Sequence, residues 1–581
     1  MPATPWDDRQ ALLEEEVARL RKAGYAVLDA QVVGAGVSRL RVIASDEKTG
    51  VGDLELRIDV PASYPFMPPV VVAADLSLSH HQHPFEKHLC LIERSTRNWI
   101  PDWHLDGLLD CQLRRAIAAG MATRGEAADE YEQGEPFSAY YSYRANSVLL
   151  CDVAGVSPEP RDSGAITVSL LSDPSVPDRL VGTLDEIVIG DVTHAAPHLA
   201  ALLGGYSPSR VSGRWVMLAE PPAADDAESA WQQAMHSGAG QPRETKCSDG
   251  VTREILAVAF PDEDGHNHLG IGWLLLVKEH GLVQGNRKAR RSKGAERTPA
   301  SYYMLPAFRA GRNDLMYRAP ETHGLESKVV MVIGCGAIGS MVVEQLARAG
   351  VGQFHLVDSD RLEPGNLSRH ACGLDMSGAD KVQALAKRVW EVNPYAKVAP
   401  VSASIGATVT RSGKLTETEA LAETMKSVDL VVDATAEIGV QQYTSLISRS
   451  VGTTWISADG TPGIAGGCVA RVDAGSDACF ACLCWHQHLG TIPTPPTFEA
   501  PGVQPAGCAS PTFTGTGFDI AVIALQATRV AVGALLRGVT GGYPEDGYDV
   551  YVLELRDEHG NPCPPVWRGY NLERHPRCSY H

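Results

Sequence analysis

The sequence predicts a multidomain α/β protein whose C-terminal half is built on a Rossmann-like sheet, and three observations predict it. The first is Val329–Ile333, a short apolar run rich in β-branched residues, as a fully buried parallel strand requires. The second is the G-x-G-x-x-G that follows at once: Gly334, Gly336 and Gly339, then apolar residues at helical spacing over Ser340–Ala349. Strand, glycine turn and helix in that order aim backbone N–H groups and a helix N-terminus at a phosphate. The third is Phe354–Val357, a second buried strand ending at Asp358, about where a ribose-binding carboxylate belongs.

The residues just beyond that strand narrow the chemistry. Asp358-Ser-Asp360, Asn366-Leu-Ser-Arg369 and Lys381 bring two carboxylates, an amide and two cations close together. A hydride-transfer enzyme has no need of that cluster. An enzyme handling the ATP triphosphate and a carboxylate substrate does, because cations must neutralise charge building on the α-phosphate. From about Leu325 to the C-terminus the pattern resembles the adenylating domain of ThiF/MoeB proteins and ubiquitin-activating enzymes. The resemblance implies that Gly334, Gly336, Gly339, Asp358, Asp360, Asn366, Arg369 and Lys381 bind ATP, with Arg369 and Lys381 stabilising developing charge. Val428–Ala434 is a further buried strand ending at Asp433, which matches the family aspartate that holds Mg²⁺. A carboxylate at the C-terminal end of a parallel strand is expected to face the ligand crevice. In ThiF-like dimers an arginine from the segment before the first strand reaches the partner's nucleotide, which makes Arg312 and Arg318 candidates.

Length and composition set outer limits. A chain of 581 residues is too long for one core and calls for three or four domains. The formal charge of −19 argues against a nucleic-acid-binding surface. Met1–Arg19 is acidic and polar, unlike a signal peptide, and no apolar run is read as long enough to span a bilayer. A cytoplasmic protein without membrane partners is expected. Thirteen cysteines, scattered and partly clustered, fit metal binding and thiol catalysis better than a disulfide framework.

At the N-terminus, Ala11–Ala23 has helical apolar spacing, and Tyr25–Val33, Ser38–Ala44 and Asp53–Val60 read as a strand meander. Tyr64-Pro-Phe-Met-Pro-Pro69, a strand at Val70–Ala74, His83-Pro84, Leu89-Cys90-Leu91, Trp99-Ile-Pro101 and a helix near Leu105–Ala119 follow. In this order the motifs resemble the ubiquitin-conjugating fold, so residues 1–140 form such a domain and Cys90 is its thioester cysteine. Taken alone, a cysteine between leucines is more often a small buried hydrophobe. The chain departs from the family at the H-P-N asparagine, which supports the oxyanion during transfer, because Phe85 stands there. His81, His83, His88 and Asp102 are the candidates for the missing polar help.

Residues 141–308 read as an α/β linker domain without a chemical motif. Strands are expected at Ser147–Val153, Ala165–Leu171, Glu186–Gly190, Arg214–Leu218 and Leu274–Val277, with a helix at Ala227–Met235. The basic run Gly285–Arg297 reads as a solvated surface loop.

Residues 309–581 complete the adenylating domain. Cys479-Phe-Ala-Cys482 and Cys578-Ser-Tyr-His581 supply four soft or borderline ligands, enough for a closed tetrahedral zinc site, and ThiF-like domains carry such pairs at the corresponding places, the second usually C-x-x-C, so that His581 is a conservative departure. Cys484, His486 and His488 are alternative ligands. Between the two pairs, Cys508 lies in a stretch rich in glycine, proline and small residues ahead of the helix Ile520–Leu536. In related activating enzymes a cysteine at this place takes the acyl group from the adenylate, which makes Cys508 the second thioester residue. Cys335, inside G-C-G, reads as a packed strand-end residue.

A conjugating-type domain, a linker and a ThiF-like domain on one chain resemble the fused activating–conjugating enzymes of bacterial CBASS antiphage operons. That resemblance implies ATP, Mg²⁺ and Zn²⁺ as cofactors and a homodimer. It implies a protein partner with an activatable C-terminus, a cGAS/DncV-like nucleotidyltransferase, joined to an amine of a target protein or small molecule. Conjugation of a small bacterial ubiquitin-like protein, sulfur-carrier activation and a non-catalytic adaptor are the competing readings.

Overall fold

The computed structural model describes residues 9–34, 36–92, 96–121, 135–173, 175–204, 206–263, 269–280, 298–406, 417–498, 502 and 514–581. Cys508 and the basic run at 285–297 lie outside the described residues. Its contacts divide into two compact units, Met1–Ala310 and Gly311–His581.

The first unit opens with α1 (Arg9–Lys22), which buries Leu13, Glu16 and Leu20 at i, i+3 and i+7 spacing. Strands β1 (Ala26–Val32), β2 (Ser38–Ala44), β3 (Leu54–Val60) and β4 (Val70–Val72) form an antiparallel meander, with the one-turn helix α2 (Asp46–Thr49) between β2 and β3. Alternation aims Leu40 and Val42 of β2 and Leu56 and Ile58 of β3 inward, all 0% exposed. They meet Leu105, Leu108, Leu109 and Leu113 of α3 (His104–Gly120). Each such side chain contributes about 2 kcal/mol by leaving water.

The rest of this unit is a closed β-barrel. Its strands are β5 (Val148–Cys151), β6 (Ser163–Ser172), β7 (Leu180–Ile189), β8 (Val192–Ala195), β9 (Ser209–Met217), β10 (Thr245–Lys246), β11 (Thr252–Glu263), β12 (Leu269–His280) and β13 (Ser301–Arg309). The hydrogen-bonded path runs β11-β12-β13-β5-β7-β6-β9, and β9 then pairs in parallel with β11 to close the ring. Ile255, Ala257 and Ala259 of β11 face the interior with Val168, Trp215 and Leu275. Leu256, Val258 and Phe260 face outward, beneath Ala230, Trp231 and Ala234 of the helix α5 (Ala227–His236). A short helix, α4 (Pro197–Gly204), packs Leu199 against the strand side of Leu150. The α/β linker of the sequence reading is therefore mainly a barrel with helical cover.

The second unit begins with the short α6 (Arg312–Met316) and carries one eight-stranded sheet. Its strands are β14 (Val329–Ile333), β15 (Gln353–Asp358), β16 (Lys397–Ser402), β17 (Leu430–Asp433), β18 (Thr454–Gly460), β19 (Gly466–Val472), β20 (Val550–Arg556) and β21 (Pro562–Tyr570), in the order β16-β15-β14-β17-β18-β19-β20-β21. The first four pairings in this order are parallel and the last three antiparallel. Chain direction away from β14 reverses between β15 and β17, which puts the switch-point crevice at the C-terminal ends of these strands. Helices α7 (Ala337–Arg348), α8 (Lys381–Val392) and α12 (Gly517–Leu535) cover Val330, Val332 and Leu356. Helices α9 (Glu417–Lys426), α10 (Ile438–Val451) and α11 (Phe480–His488) cover Met331, Val431 and Trp455 on the other face.

Helix α12 corrects one reading of the sequence. Its 19 residues have a mean hydropathy of 1.6 and are long and apolar enough to cross a membrane. It is a core helix, with Ile520, Ile523, Ala524, Ala527 and Ala531 at 0% exposure against the sheet.

Candidate active site

In the second unit the glycine turn is shaped by what it must avoid and what it must admit. Gly334 holds φ +84°, and a Cβ there would lie 2.8 Å from the main chain at Ala434 and Thr435. A Cβ on Gly339 would lie 1.9 Å from the Gly334 carbonyl oxygen. These two glycines are fixed by close packing of the turn and the start of α7. At Gly336 nothing among the described residues lies within 4 Å of the Cβ position. The second glycine therefore borders open space, as a backbone approached by a bound phosphate must.

Two side chains hold the turn from opposite sides. Asp358, at the end of β15, accepts the Cys335 N–H through Oδ2 at 2.7 Å and the Asp360 N–H through Oδ1 at 2.8 Å. The buried His370 donates from Nε2 to the Cys335 carbonyl at 3.0 Å and accepts the Cys372 N–H on Nδ1 at 3.1 Å. Burial lowers the His370 pKa and keeps the ring neutral. Cys335 itself is 0% exposed with its thiol pKa pushed well up by burial, so it is a packing residue and no nucleophile.

The cations and the amide lie where the chain leaves this turn. Lys381 is the first residue of α8, and its Nζ pairs with Asp360 Oδ2 at 2.8 Å. Asn366 Oδ1 accepts the Glu363 N–H at 3.0 Å and caps the 3₁₀ turn Pro364–Arg369, which carries Arg369 at its end. Arg312 is tied within its own unit, to the carbonyls of Glu326 and Tyr395 at 3.3 and 3.1 Å. Arg318 is exposed.

Asp433 ends β17. It is 0% exposed, with Oδ2 accepting from Thr444 Oγ1 at 2.6 Å and Oδ1 accepting from Thr435 Oγ1 at 2.7 Å and N–H at 3.1 Å. The strand-end rule aimed this carboxylate at the crevice, but the buried Thr444 of α10 claims it. Both oxygens are thus engaged by threonine donors. Beside it Asp459, near the end of β18, has its pKa pushed up to about 6 by burial, with the Asp433 carboxylate adding to the shift. Neither Asp459 nor His370 carried a signal in the sequence, since no spacing or motif sets them apart.

The cysteine–histidine cluster does assemble. The ligand atoms of Cys479, Cys482, Cys578 and His581 all lie within 4.8 Å of one another. Cys479 Sγ is 3.9 Å from Cys482 Sγ and 3.7 Å from Cys578 Sγ. A zinc tetrahedron with Zn–S bonds of 2.3 Å has S···S edges of about 3.8 Å, so the donor set fits the ion. His581 Nε2 is 3.0 Å from Cys482 Sγ. Arg449, which can only donate, lies 2.8 Å from His581 Nδ1. With zinc on Nε2 that nitrogen carries the proton, so the arginine contact has to open on metal binding. The three alternative ligands fall outside this cluster: His486, for one, is held by Thr491 and the Glu573 carbonyl.

In the first unit Cys90 lies on a short antiparallel ladder. Gln82 bridges Leu89, Cys90 N–H donates to the His81 carbonyl at 2.7 Å, and His83 N–H donates to the His88 carbonyl at 2.8 Å. Gln82 and Leu89 are 3% and 6% exposed, whereas Cys90 is half-buried. Phe85, at the family's asparagine position, turns away and packs on Phe137 and Tyr141, with ring centroids 5.6 and 5.4 Å away. The loop is further tied to the barrel by His80 Nε2, 2.8 Å from the buried Glu263. Asp102 is exposed on the 3₁₀ turn Pro101–Trp103.

Comparison with known proteins finds a family match in each of the two units. Residues 313–555 match the ThiF family, and residues 36–150 match Prokaryotic E2 family B. The uncharacterised protein y4qC of Sinorhizobium fredii is 30% identical over 96% of this chain and 94% of its own length. The uncharacterised protein y4oA of the same organism is 28% identical over 91% of this chain and 90% of its own. The ATP-dependent ubiquitin transferase-like protein Cap2 of Pseudomonas aeruginosa is 27% identical over 49% of this chain and 48% of its own. The chain belongs, with y4qC, to a family of fused enzymes that join a prokaryotic E2 domain to a ThiF domain and so activate and conjugate a protein from one polypeptide.

Proposed function

We propose that the second unit adenylates the C-terminal carboxylate of a partner protein with ATP and that Cys508 and then Cys90 carry the acyl group to an amine. The observation that carries this reading is the glycine turn, where open space at Gly336 is bordered by a main chain fixed through Asp358. That cradle suits phosphates approaching the α7 N-terminus. Asp358 keeps lone pairs for ribose hydroxyls, since each carboxylate oxygen accepts more than one hydrogen bond. Lys381 exchanges Asp360 for phosphate oxygens, and with Arg369 it stabilises charge as the carboxylate attacks and pyrophosphate leaves. Asn366 holds the turn that presents Arg369.

In the next step the Cys508 thiolate attacks the acyl carbon, AMP leaves, and a thioester forms. Transthiolation passes the acyl group to Cys90, and an amine displaces that sulfur to give an amide. Mg²⁺ accompanies ATP in the proposal, with Asp433 the residue that would hold it in exchange for a threonine hydrogen bond, and no step is routed through that residue. Zn²⁺ is proposed as structural, held by Cys479, Cys482, Cys578 and His581, closing the C-terminal tail onto α11. By the likeness to the fused CBASS enzymes, the proposed partner is a cGAS/DncV-like nucleotidyltransferase, and the enzyme acts as a homodimer in the cytoplasm.

Intact-protein mass spectrometry under non-reducing conditions tests this, with ATP, Mg²⁺ and that partner. An adduct on the wild type is expected to persist in Cys90→Ala and vanish in Cys508→Ala. Absence of a thiol-labile adduct, with ATP–pyrophosphate exchange also absent, would overturn the reading.

A further inference from the structure

The sheet end beside the glycine turn carries two carboxylates, and the sequence singles out only one of them. Asp433 is level with Ile333, the residue that leads into Gly334, and with Ser457 of β18. Residues level in parallel neighbours project from one face, as do alternate residues along a strand. Val431 and Trp455 pack on the side of the sheet that α10 covers. Asp433, Ser457 and Asp459 follow them in alternation and project to the same side. Strand spacing and rise put the main chains of Asp433 and Asp459 about 8 Å apart on the diagonal. The Asp433 charge acts on Asp459 across that gap, adding to the rise that burial gives its pKa.

Polar groups surround this pair, but no cation does. Asp433 Oδ2 accepts from Thr444, whose hydroxyl oxygen in turn accepts from Trp455 Nε1 at 3.1 Å, and all three residues are 0% exposed. That side of the carboxylate is fixed. Oδ1 accepts from Thr435, which is only partly buried and leads out of the strand. Gln441 of α10 stands beside Asp459 and favours its ionised form. Two buried polar atoms here have no hydrogen-bond partner: Gln441 Nε2 and Ser457 Oγ, on side chains 2% and 0% exposed. Among the described residues no lysine, arginine or histidine acts on either carboxylate. Buried charges persist when they are paired or coordinate a metal. Two carboxylates with orphaned polar atoms beside them therefore call for a divalent cation.

We infer that Asp459 is a second protein ligand for the divalent cation that accompanies ATP, completing with Asp433 a two-carboxylate site at the ends of β17 and β18. The inference rests on the adenylation reading of this unit. Thr435 releases Oδ1 of Asp433 for the ion, while Thr444 and Trp455 keep Oδ2 in place. Ser457 Oγ and Gln441 Nε2 find partners in the ion's water shell and in the carboxylate oxygens the ion does not use. Mg²⁺ suits such a site, since it is bound through one or two carboxylates and keeps several waters. With both carboxylates on the sheet, the chain holds the ion before the nucleotide arrives.

The test uses Mn²⁺, a paramagnetic ion with the same preference for oxygen ligands. The full chain is titrated without nucleotide, and the free-ion signal is read by electron paramagnetic resonance for wild type and Asp459→Asn. Wild type is expected to bind one Mn²⁺ that Mg²⁺ displaces. Asp459→Asn is expected to bind it about 10-fold more weakly or worse, since affinity follows the number of charged oxygen ligands. Melting curves supply a second readout. Mn²⁺ should raise the melting temperature of wild type and not of Asp459→Asn, whose metal-free melt should match or exceed wild type because a like charge is gone. Equal Mn²⁺ affinity in the two chains would overturn the inference, and a much lowered metal-free melt would overturn it by showing a structural role. So would a wild type that binds ATP, measured by calorimetry, but no Mn²⁺. If wild type binds neither, the adenylation reading fails as well, and ATP binding thus tells the two failures apart.

Discussion

Phe85 and Tyr141 face each other with ring centroids 5.4 Å apart, and through them the loop carrying Cys90 is docked on the outer face of the barrel. Below Tyr141 lies Phe260 of β11, 6.2 Å away centroid to centroid. Phe85 is partly buried against this cluster, so truncation leaves a gap that the rigid barrel strands do not fill. Phe85→Ala is expected to cost about 2 kcal/mol, less than a fully buried phenylalanine. Scanning calorimetry of the whole chain should show one transition lowered by a few degrees and the other unmoved. An unchanged thermogram would show that the aromatic cluster does not anchor the loop.

The cysteine–histidine cluster makes a compositional prediction. Three thiols and an imidazole at zinc-edge spacing should carry one zinc per chain after purification, measured by elemental analysis. Cys479→Ser with Cys578→Ser should carry none. Metal removal by a chelator should lower the melting temperature of the second unit, because the proposed ion would tie the C-terminal tail to α11. Full stability after chelation would remove zinc from the fold.

His370 sets a pH dependence. Burial depresses its folded-state pKa below the unfolded value of about 6.5, so the unfolded chain binds the extra proton first. Stability is therefore fully present above about pH 6.5 and falls as the pH drops toward the folded pKa. Protonating Nδ1 would also break its acceptance of the Cys372 N–H. Urea unfolding at pH 7.5 and 5.5 should show a loss for wild type and a smaller one for His370→Gln. Equal losses would assign the acid sensitivity elsewhere.

How much of this was legible follows from how local each feature is. The strand, glycine turn and helix of β14 and α7 are written in thirty consecutive residues or fewer, and the structure places them accordingly. The four zinc-type donors were legible because C-x-x-C and C-x-x-H spacing is itself the geometry. The barrel was not. The apolar run Ile255–Phe260 is buried on both faces, so it shows no alternation, and closure depends on β9 pairing with a strand about forty residues later. The hydrogen bond from Thr444 of α10 to Asp433 was not legible, because the strand-end rule carries no information about the following helix. Asp459 comes beside Asp433 through the parallel register of β17 and β18, with no motif linking them.

The sharpest prediction separates two glycines three residues apart. Gly339 and Gly336 belong to one motif, yet only Gly339 is pressed by its own protein, with the Gly334 oxygen 1.9 Å from where a Cβ would sit. Gly339→Ala must push the turn off α7 and should unfold or strongly destabilise the second unit. At Gly336 the Cβ meets no atom of the described residues within 4 Å, and φ is −81°, outside the left-handed region, so Gly336→Ala should melt far closer to wild type than Gly339→Ala. If the space is the phosphate's, that methyl blocks it, and ATP–pyrophosphate exchange should fall at least 10-fold through weakened nucleotide binding. Paired melting and exchange measurements on the two variants check this. Unaltered exchange in Gly336→Ala would mean that phosphate does not approach the turn at its second glycine.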